Sequence, residues 1–253
     1  MTAFHLKVIA LASMIIDHMG AVFPEYFGFE FRIIGRLAFP IFVYLIAEGF
    51  RHTKRPEKFL ARLAVFAIIS EPPFDWAIHG GVEYFPRGVD FLNSTNIFYT
   101  LFLGGVAIYA FQKVKEILSP RVGNIVATCA AVLPLFASMA AANALTADYR
   151  AYGVAFIFIM YVIKPRGFRL GAMAVLCLWQ FEWIIRRIVP YLIAGNFASL
   201  PVSNNAIMMM PVTLITVALV AFYNGKRGRD IKWFFYAAYP IHLAIFVIVR
   251  GVL

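Results

Sequence analysis

Apolar residues run along this chain in blocks of 15 to 25 positions, and charged residues gather mainly in the short gaps between the blocks. A helix rises 1.5 Å per residue, so about 20 residues cross roughly 30 Å of hydrocarbon. Length and flanking charge then place nine segments: 4 to 23, 31 to 50, 59 to 78, 97 to 117, 124 to 143, 149 to 163, 170 to 194, 206 to 223 and 233 to 251. The sixth is short. All nine are expected to be helices, because in lipid each segment has to satisfy its own backbone polar groups, and no segment alternates with the period of a barrel strand. The expected fold class is therefore all-α, a polytopic transmembrane helix bundle forming a single membrane domain over residues 1–253.

The gaps set an orientation. Those after the second, fourth, sixth and eighth segments hold Arg51, Lys54, Arg55, Lys58 and Arg62, then Lys113, Lys115 and Arg121, then Lys164, Arg166 and Arg169, then Lys226, Arg227, Arg229 and Lys232, which is 15 of the 23 basic residues. The intervening gaps carry Arg32, Arg87 and Arg150 and little else. Basic loops stay in the cytoplasm, so this alternation predicts an inside N-terminus and an outside C-terminus.

Composition supports the same class: 62% hydrophobic against 14% charged is well above the roughly half expected of a soluble domain. The net charge of +10 would suggest nucleic acid in a soluble protein, but its placement in alternate loops is explained by topology. The partner is a lipid bilayer, and no nucleic acid is expected. The first block carries only Lys7 near its start, contains Asp17 and His18, and lacks a small-residue cleavage site, so it reads as a retained span. Cys129 and Cys177 lie inside apolar segments, as small buried hydrophobes do, and no metal site is expected.

Ionisable side chains inside the hydrocarbon cost several kcal/mol unless paired or hydrated, which makes each a candidate for function. The first segment holds Asp17 and His18, the second Arg36 and Glu48, the third Glu71 and Asp75, the seventh Glu182, Arg186 and Arg187, and the ninth His242. His18 sits about 20 Å along the first segment, and Arg36 is about 8 Å into the returning second, so the two share a level. Pro72 and Pro73 are expected to break the third segment and free its carbonyls. Glu71 with Asp75, and Glu182 with Arg186, are spaced i and i+4 and face one way. Such pairs serve equally as buried devices that set helix register, and His242 beside Pro240 reads as core packing or as a group lining a cavity.

The loop with Arg51, His52, Lys54, Arg55 and Lys58 is more basic than topology requires, and Lys226 with Arg227 forms a second cluster. Both suit the phosphates of a cytoplasmic donor, or anionic lipid headgroups.

The strings Ile16 Asp17 His18 Met19 Gly20, Ile34 Gly35 Arg36 Leu37 Ala38 Phe39 Pro40, Glu48 Gly49 Phe50, Ser70 Glu71 Pro72 Pro73 Phe74 Asp75, and Tyr223 Asn224 Gly225 Lys226 Arg227 Gly228 resemble the TraX family of conjugal-transfer membrane proteins. The resemblance extends over nearly the whole chain. It implies an acyltransferase of the bacterial inner membrane that takes acetyl from acetyl-CoA to an acceptor on the far side, with His18 matching the histidine thought essential. The acceptor would be a pilin N-terminus, a secreted peptide or an envelope glycan.

On that reading His18 is the general base, Arg36 anchors the donor or stabilises developing charge, and Asp17 holds Arg36. Glu71, Asp75, Glu182, Arg186 and His242 are candidates for acceptor binding, and Arg51, His52, Lys54, Arg55, Lys58, Lys226 and Arg227 for the donor. No serine or cysteine is placed as an obvious nucleophile, which favours direct transfer. Two other classes remain: a proton-coupled transporter, against which stands the lack of an inverted repeat, and a noncatalytic protein of envelope assembly.

Overall fold

The computed structural model describes residues 1–80, 94–195 and 204–252. Arg87 lies outside the described residues. Twelve α-helices are present among them: α1 (Ala3–Val22), α2 (Phe29–Gly35), α3 (Ala38–His52), α4 (Pro56–Asp75), α5 (Ile97–Val122), α6 (Asn124–Ala131), α7 (Leu133–Ala144), α8 (Arg150–Val162), α9 (Arg166–Trp179), α10 (Glu182–Ile193), α11 (Asn204–Ala221) and α12 (Lys232–Val252). A π-helical turn, Trp76–Gly80, continues α4. The described residues contain no strand. The all-helical expectation therefore holds.

The count of spans does not hold in full. Among the described residues, five helices or joined pairs are long and apolar enough to cross a membrane: α1, α2 with α3 (Phe29–His52), α5, α6 with α7 (Asn124–Ala144), and α12. Counting α9 and α10, which are bent by 73°, as one span brings the number to six. Where a straight seventh span was expected, the chain forms two helices that meet at a sharp bend. At the break Phe181 N–H turns back to Leu178 O at 2.9 Å, and the Gln180 side chain donates to Cys177 O at 3.0 Å. The expected sixth and eighth spans are helices, but α8 and the Ile207–Ala221 part of α11 are short. The expected third span, α4, has the length and carries Glu57, Lys58, Arg62, Glu71 and Asp75 within it.

Prolines account for other irregularities. Pro40 has no N–H for Arg36 O, and the chain passes from α2 to α3 through turns in which Arg36 N and Leu37 N bond to Ile33 O and Ile34 O. Pro134 likewise stands just inside α7, after the break at Val132. Pro72 and Pro73, by contrast, do not end α4, which runs on to Asp75. The expected interruption there is replaced by the π turn one residue later.

The chain divides into two compact units, Met1–Phe42 with Pro165–Ile231, and Val43–Lys164 with Lys232–Leu253; the boundary at Phe42 falls inside α3. In the first unit α1 packs on α2, and α11 packs on both α2 and α9. The loop after α11 caps the start of α1. Ala3 N–H donates to Lys226 O at 2.9 Å and Phe4 N–H to Arg227 O at 3.1 Å, while Asn224 N–H reaches Met1 O at 2.9 Å. Helix N-termini leave unpaired N–H groups, and here backbone carbonyls take them. Gly228 makes this fit, with φ of 74° and a position where a Cβ would lie 2.5 Å from Thr2 Oγ1.

In the second unit α5 packs on α4, α6, α7 and α8, and α12 packs on α4. Rings from three helices hold this core: Phe66 stacks on Tyr236 at 5.1 Å, and Tyr239 meets Phe98 edge-on at 5.3 Å. On α12 the buried Tyr239, His242, Leu243 and Val247 face inward, whereas Ile241, Ile245, Ile248 and Val252 are 50–82% exposed. Those four recur at i, i+4, i+7 and i+11, so one face of the helix is apolar and outward. That pattern suits lipid as solvent.

Candidate functional site

Asp17 lies on α1 about 21 Å from its first residue. Its carboxylate is divided between two arginines: Oδ2 accepts from Arg32 Nη1 at 2.7 Å and Oδ1 from Arg36 Nη2 at 2.8 Å. Arg32 Nη1 also donates to the Asp17 carbonyl at 3.1 Å. Arg36 Nε donates at 3.1 Å to Arg32 O, the carbonyl left over where α2 unwinds. The side chains are 14% exposed for Asp17, 19% for Arg36 and 32% for Arg32. The cluster is therefore sheltered on the carboxylate side and reachable on the guanidinium side.

Glycine makes the approach possible. A Cβ at Gly35 would fall within the Asp17 side chain, so any other residue there separates α1 from α2. One carboxylate between two guanidiniums leaves a net single positive charge. His18, half-buried, follows Asp17 directly and points about 100° away around the helix. The expected pairing of Asp17 with Arg36 is thus present. Arg32, counted in the sequence as a loop cation, is the member that reading missed, although it is i−4 from Arg36 on α2.

The second group of acids lies on α4. Glu71 is fully buried, and its Oε2 accepts the Asn96 backbone N–H at 3.2 Å together with the Asn96 side-chain amide. Asn96 also donates to Ala67 O at 2.8 Å and caps α5 by accepting from Phe98 N–H at 2.9 Å. Glu71 therefore ties the start of α5 to the end of α4, a task the sequence did not reveal. Asp75 is 1% exposed, and its Oδ1 lies 3.4 Å from His79 Nδ1. His79 Nε2 is in turn 3.2 Å from Ser94 Oγ. The i and i+4 spacing does bring Glu71 and Asp75 to one buried side, as expected. Asn96, His79 and Ser94 were not singled out.

Among the remaining acceptor candidates, Arg186 pairs with Glu182 at the start of α10 with side chains 77% and 39% exposed. An acid in a first helical turn suits the helix dipole, so this pair has a local explanation. His242 is 7% exposed, and its Nδ1–H donates to Ala238 O at 2.7 Å between the rings of Tyr239 and Phe246. Of the two readings of this residue, core packing is the one the geometry matches.

The basic clusters separate into two kinds. Arg51 donates to the carbonyls of Met160, Tyr161 and Ile163 at 2.9, 2.6 and 2.7 Å, capping the C-terminus of α8. It also lies 3.7 Å from Glu48, and His52 lies 3.5 Å from the same carboxylate. Arg166 does the same at α11, bonding to Ala221 O and, at 3.0 Å, to Tyr223 O. Cations at helix C-termini neutralise the negative end of the dipole. Arg51 therefore has a structural role as a cap of α8. Lys54, Arg55, Lys58 and Lys226 are exposed, and Arg227 pairs with Asp230 at 2.8 Å. The exposed lysines and Arg55 fit a phosphate-bearing ligand; no group of three or more His, Cys, Asp or Glu able to hold a metal ion is found among the described residues.

Comparison with known proteins gives this geometry a family. The chain is 27% identical to the probable fimbrial assembly protein FimC of Dichelobacter nodosus, over 96% of this chain and 93% of that protein. No solved structure matches it. The family model described as TraX protein matches residues 3–250, which span the arginine-clamped Asp17, the α4 acids and the loop that caps α1, and so the chain belongs to the TraX family.

Proposed function

We propose that this protein is a membrane-embedded acyltransferase of the bacterial inner membrane that modifies a pilus-related substrate, transferring acetyl from acetyl-CoA to an amine or hydroxyl on the outer side. The acceptor classes are a pilin N-terminus, a secreted peptide and an envelope glycan. The observation that carries the reading is the Asp17, Arg32 and Arg36 cluster, which holds a net positive charge at the residue that precedes His18 on α1. Acyl transfer needs a base for the incoming nucleophile and positive charge where an oxyanion forms. His18 supplies the base, and the guanidinium face of Arg32 and Arg36 supplies the charge. Asp17 holds both arginines in place.

The donor supplies an acetyl group activated as a thioester. On the cytoplasmic side Lys54, Arg55 and Lys58 attract its phosphates. The N-terminus inside and C-terminus outside remain part of this proposal, argued from the basic loops. A proton-coupled transporter is disfavoured, because the two halves of the sequence carry no inverted repeat. The name of the fimbrial relative favours a second reading, a role in assembly.

Purified protein in oriented vesicles, given labelled acetyl-CoA and a pilin peptide, separates the two. Label is expected on the peptide only when donor and peptide are on opposite sides. Absence of labelled peptide in every arrangement would leave the assembly reading, and product on the donor side would refute transfer across the membrane.

A further inference from the structure

We infer that Asp75, His79 and Ser94 form a nucleophilic relay in which Ser94 carries an acyl group covalently, a site distinct from the His18 cluster. Three observations support it. The first is the order of contacts: Asp75 Oδ1 lies 3.4 Å from His79 Nδ1, and His79 Nε2 lies 3.2 Å from Ser94 Oγ. At 3.4 Å the Asp75 contact is an ion-pair distance and not a hydrogen bond; a modest turn of the imidazole that brings Nδ1–H onto the carboxylate leaves the Nε2 lone pair toward the hydroxyl, the arrangement that activates serine. The second is the gradient of exposure. The Asp75 side chain is 2% exposed, His79 is 31% exposed, and Ser94 is open to the outside. A buried acid, a half-buried base and an accessible hydroxyl are what a covalent catalyst needs.

The third observation is conformational. Ser94 has φ of 59°, a left-handed conformation that L-residues with a Cβ rarely adopt. Its N–H is held by Thr146 Oγ1, and the next residue accepts from Asp148 N–H at 3.0 Å. His79 sits in the π-helical turn, with Phe74 packed edge-on against its ring at 5.6 Å. Strained backbone and π turns persist where surrounding contacts enforce them, and both concentrate at functional sites. Here one of each presents a reacting side chain to the other.

The substrate class is an activated acyl ester or thioester. His79 Nε2 takes the Ser94 proton as Oγ bonds to the acyl carbon. The bond to the leaving sulfur or oxygen then breaks, and His79 returns the proton to that leaving group. In the second half His79 deprotonates an amine or hydroxyl acceptor, which bonds to the acyl carbon, and Ser94 Oγ leaves and recovers the proton. The relay shares with the proposed function only the acyl class of substrate.

A fluorophosphonate probe tests it without any acetyl donor, because the probe phosphonylates an activated serine. Peptide mapping of the full-length protein in detergent is expected to find the probe on Ser94. The rate should fall at least about 100-fold in His79→Ala and about 10-fold or more in Asp75→Asn. Ser94→Cys keeps a nucleophile at the exposed position, and its alkylation by iodoacetamide should slow by about 10-fold when His79→Ala is added. Labelling elsewhere only, or equal rates with and without His79 in both assays, would overturn the relay. Labelled acetyl-CoA, quenched in acid, then separates the two proposals. Acetyl on Ser94 supports the relay, and acetylated peptide with neither acetyl nor probe on Ser94 refutes it while leaving the acyltransferase reading intact. Probe on Ser94 without any acetyl transfer supports the relay and counts against acetyl-CoA as donor.

Discussion

Two groups of sheltered acids, one in each compact unit, are balanced in opposite ways. Asp17 meets two guanidiniums, which keep their charge at any pH a protein survives. Glu71 meets an amide and a backbone N–H, and Asp75 meets an imidazole, so these partners are neutral or able to change charge. The first arrangement is a permanent electrostatic fixture. The second joins a structural tie to a group able to move a proton. Similar residue types in apolar helices thus serve different ends, and the partners decide which.

The contrast is tested most severely at Asp17. Asp17→Ala leaves Arg32 and Arg36 confronting each other in a sheltered site and should cost about 2–4 kcal/mol, with loss of acetyl transfer. Thermal unfolding in detergent measures the first and peptide labelling the second. A variant with unchanged melting would mean that the clamp is not a fixture. Gly35→Ala should mimic part of this loss by forcing the helices apart, at about 1–3 kcal/mol.

His18→Ala comes next, and its effect should be confined to chemistry. Transfer is expected to fall about 100-fold while the melting temperature stays within a degree or two of the parent. Near-normal turnover would remove His18 from the reaction. Arg36→Lys sharpens the point, because it retains charge but loses the fork that joins Asp17 to Arg32 O.

On the other side of the comparison, Asn96→Ala removes both the cap of α5 and the side-chain donor to Glu71, leaving only the backbone N–H. A loss of about 1–2 kcal/mol is expected, larger than for an exposed cap. If stability does not change, Glu71 is not the tie described. The smallest effect separates the cations. Lys54→Gln with Arg55→Gln should weaken donor binding a few-fold, more at low salt, without altering melting. Arg51→Gln should do the reverse and lower melting through α8. Should Arg51→Gln alter donor affinity alone, its assignment as a cap is wrong.

Much of this was legible along the chain. Long apolar blocks require helices, because hydrocarbon offers no partner for a backbone amide, and charges inside such blocks require partners. That reasoning reached Asp17 with Arg36 and the shared side of Glu71 and Asp75. It also reached the pairing of Glu182 with Arg186, since i and i+4 positions meet in any helix.

Arg32 was misread because a cation near a segment end looks like topology until the packing of α2 on α1 sets it against Asp17. The bend after Trp179 was hidden because no proline or glycine marks it.

What the sequence by itself determined, then, is the helical class, the apolar solvent and the need of each intramembrane charge for a partner. These follow from local periodicity and transfer energy, which depend only on neighbours in the chain. Which partner each charge receives was decided by the tertiary structure. Asp17 and Arg32 are 15 residues apart, Glu71 and Asn96 25, Arg51 and Ile163 112. Contacts at such separations depend on how helices pack, and packing responds to a missing Cβ at Gly35 or a broken turn at Pro40, whose effects reach across space and leave no local period to read.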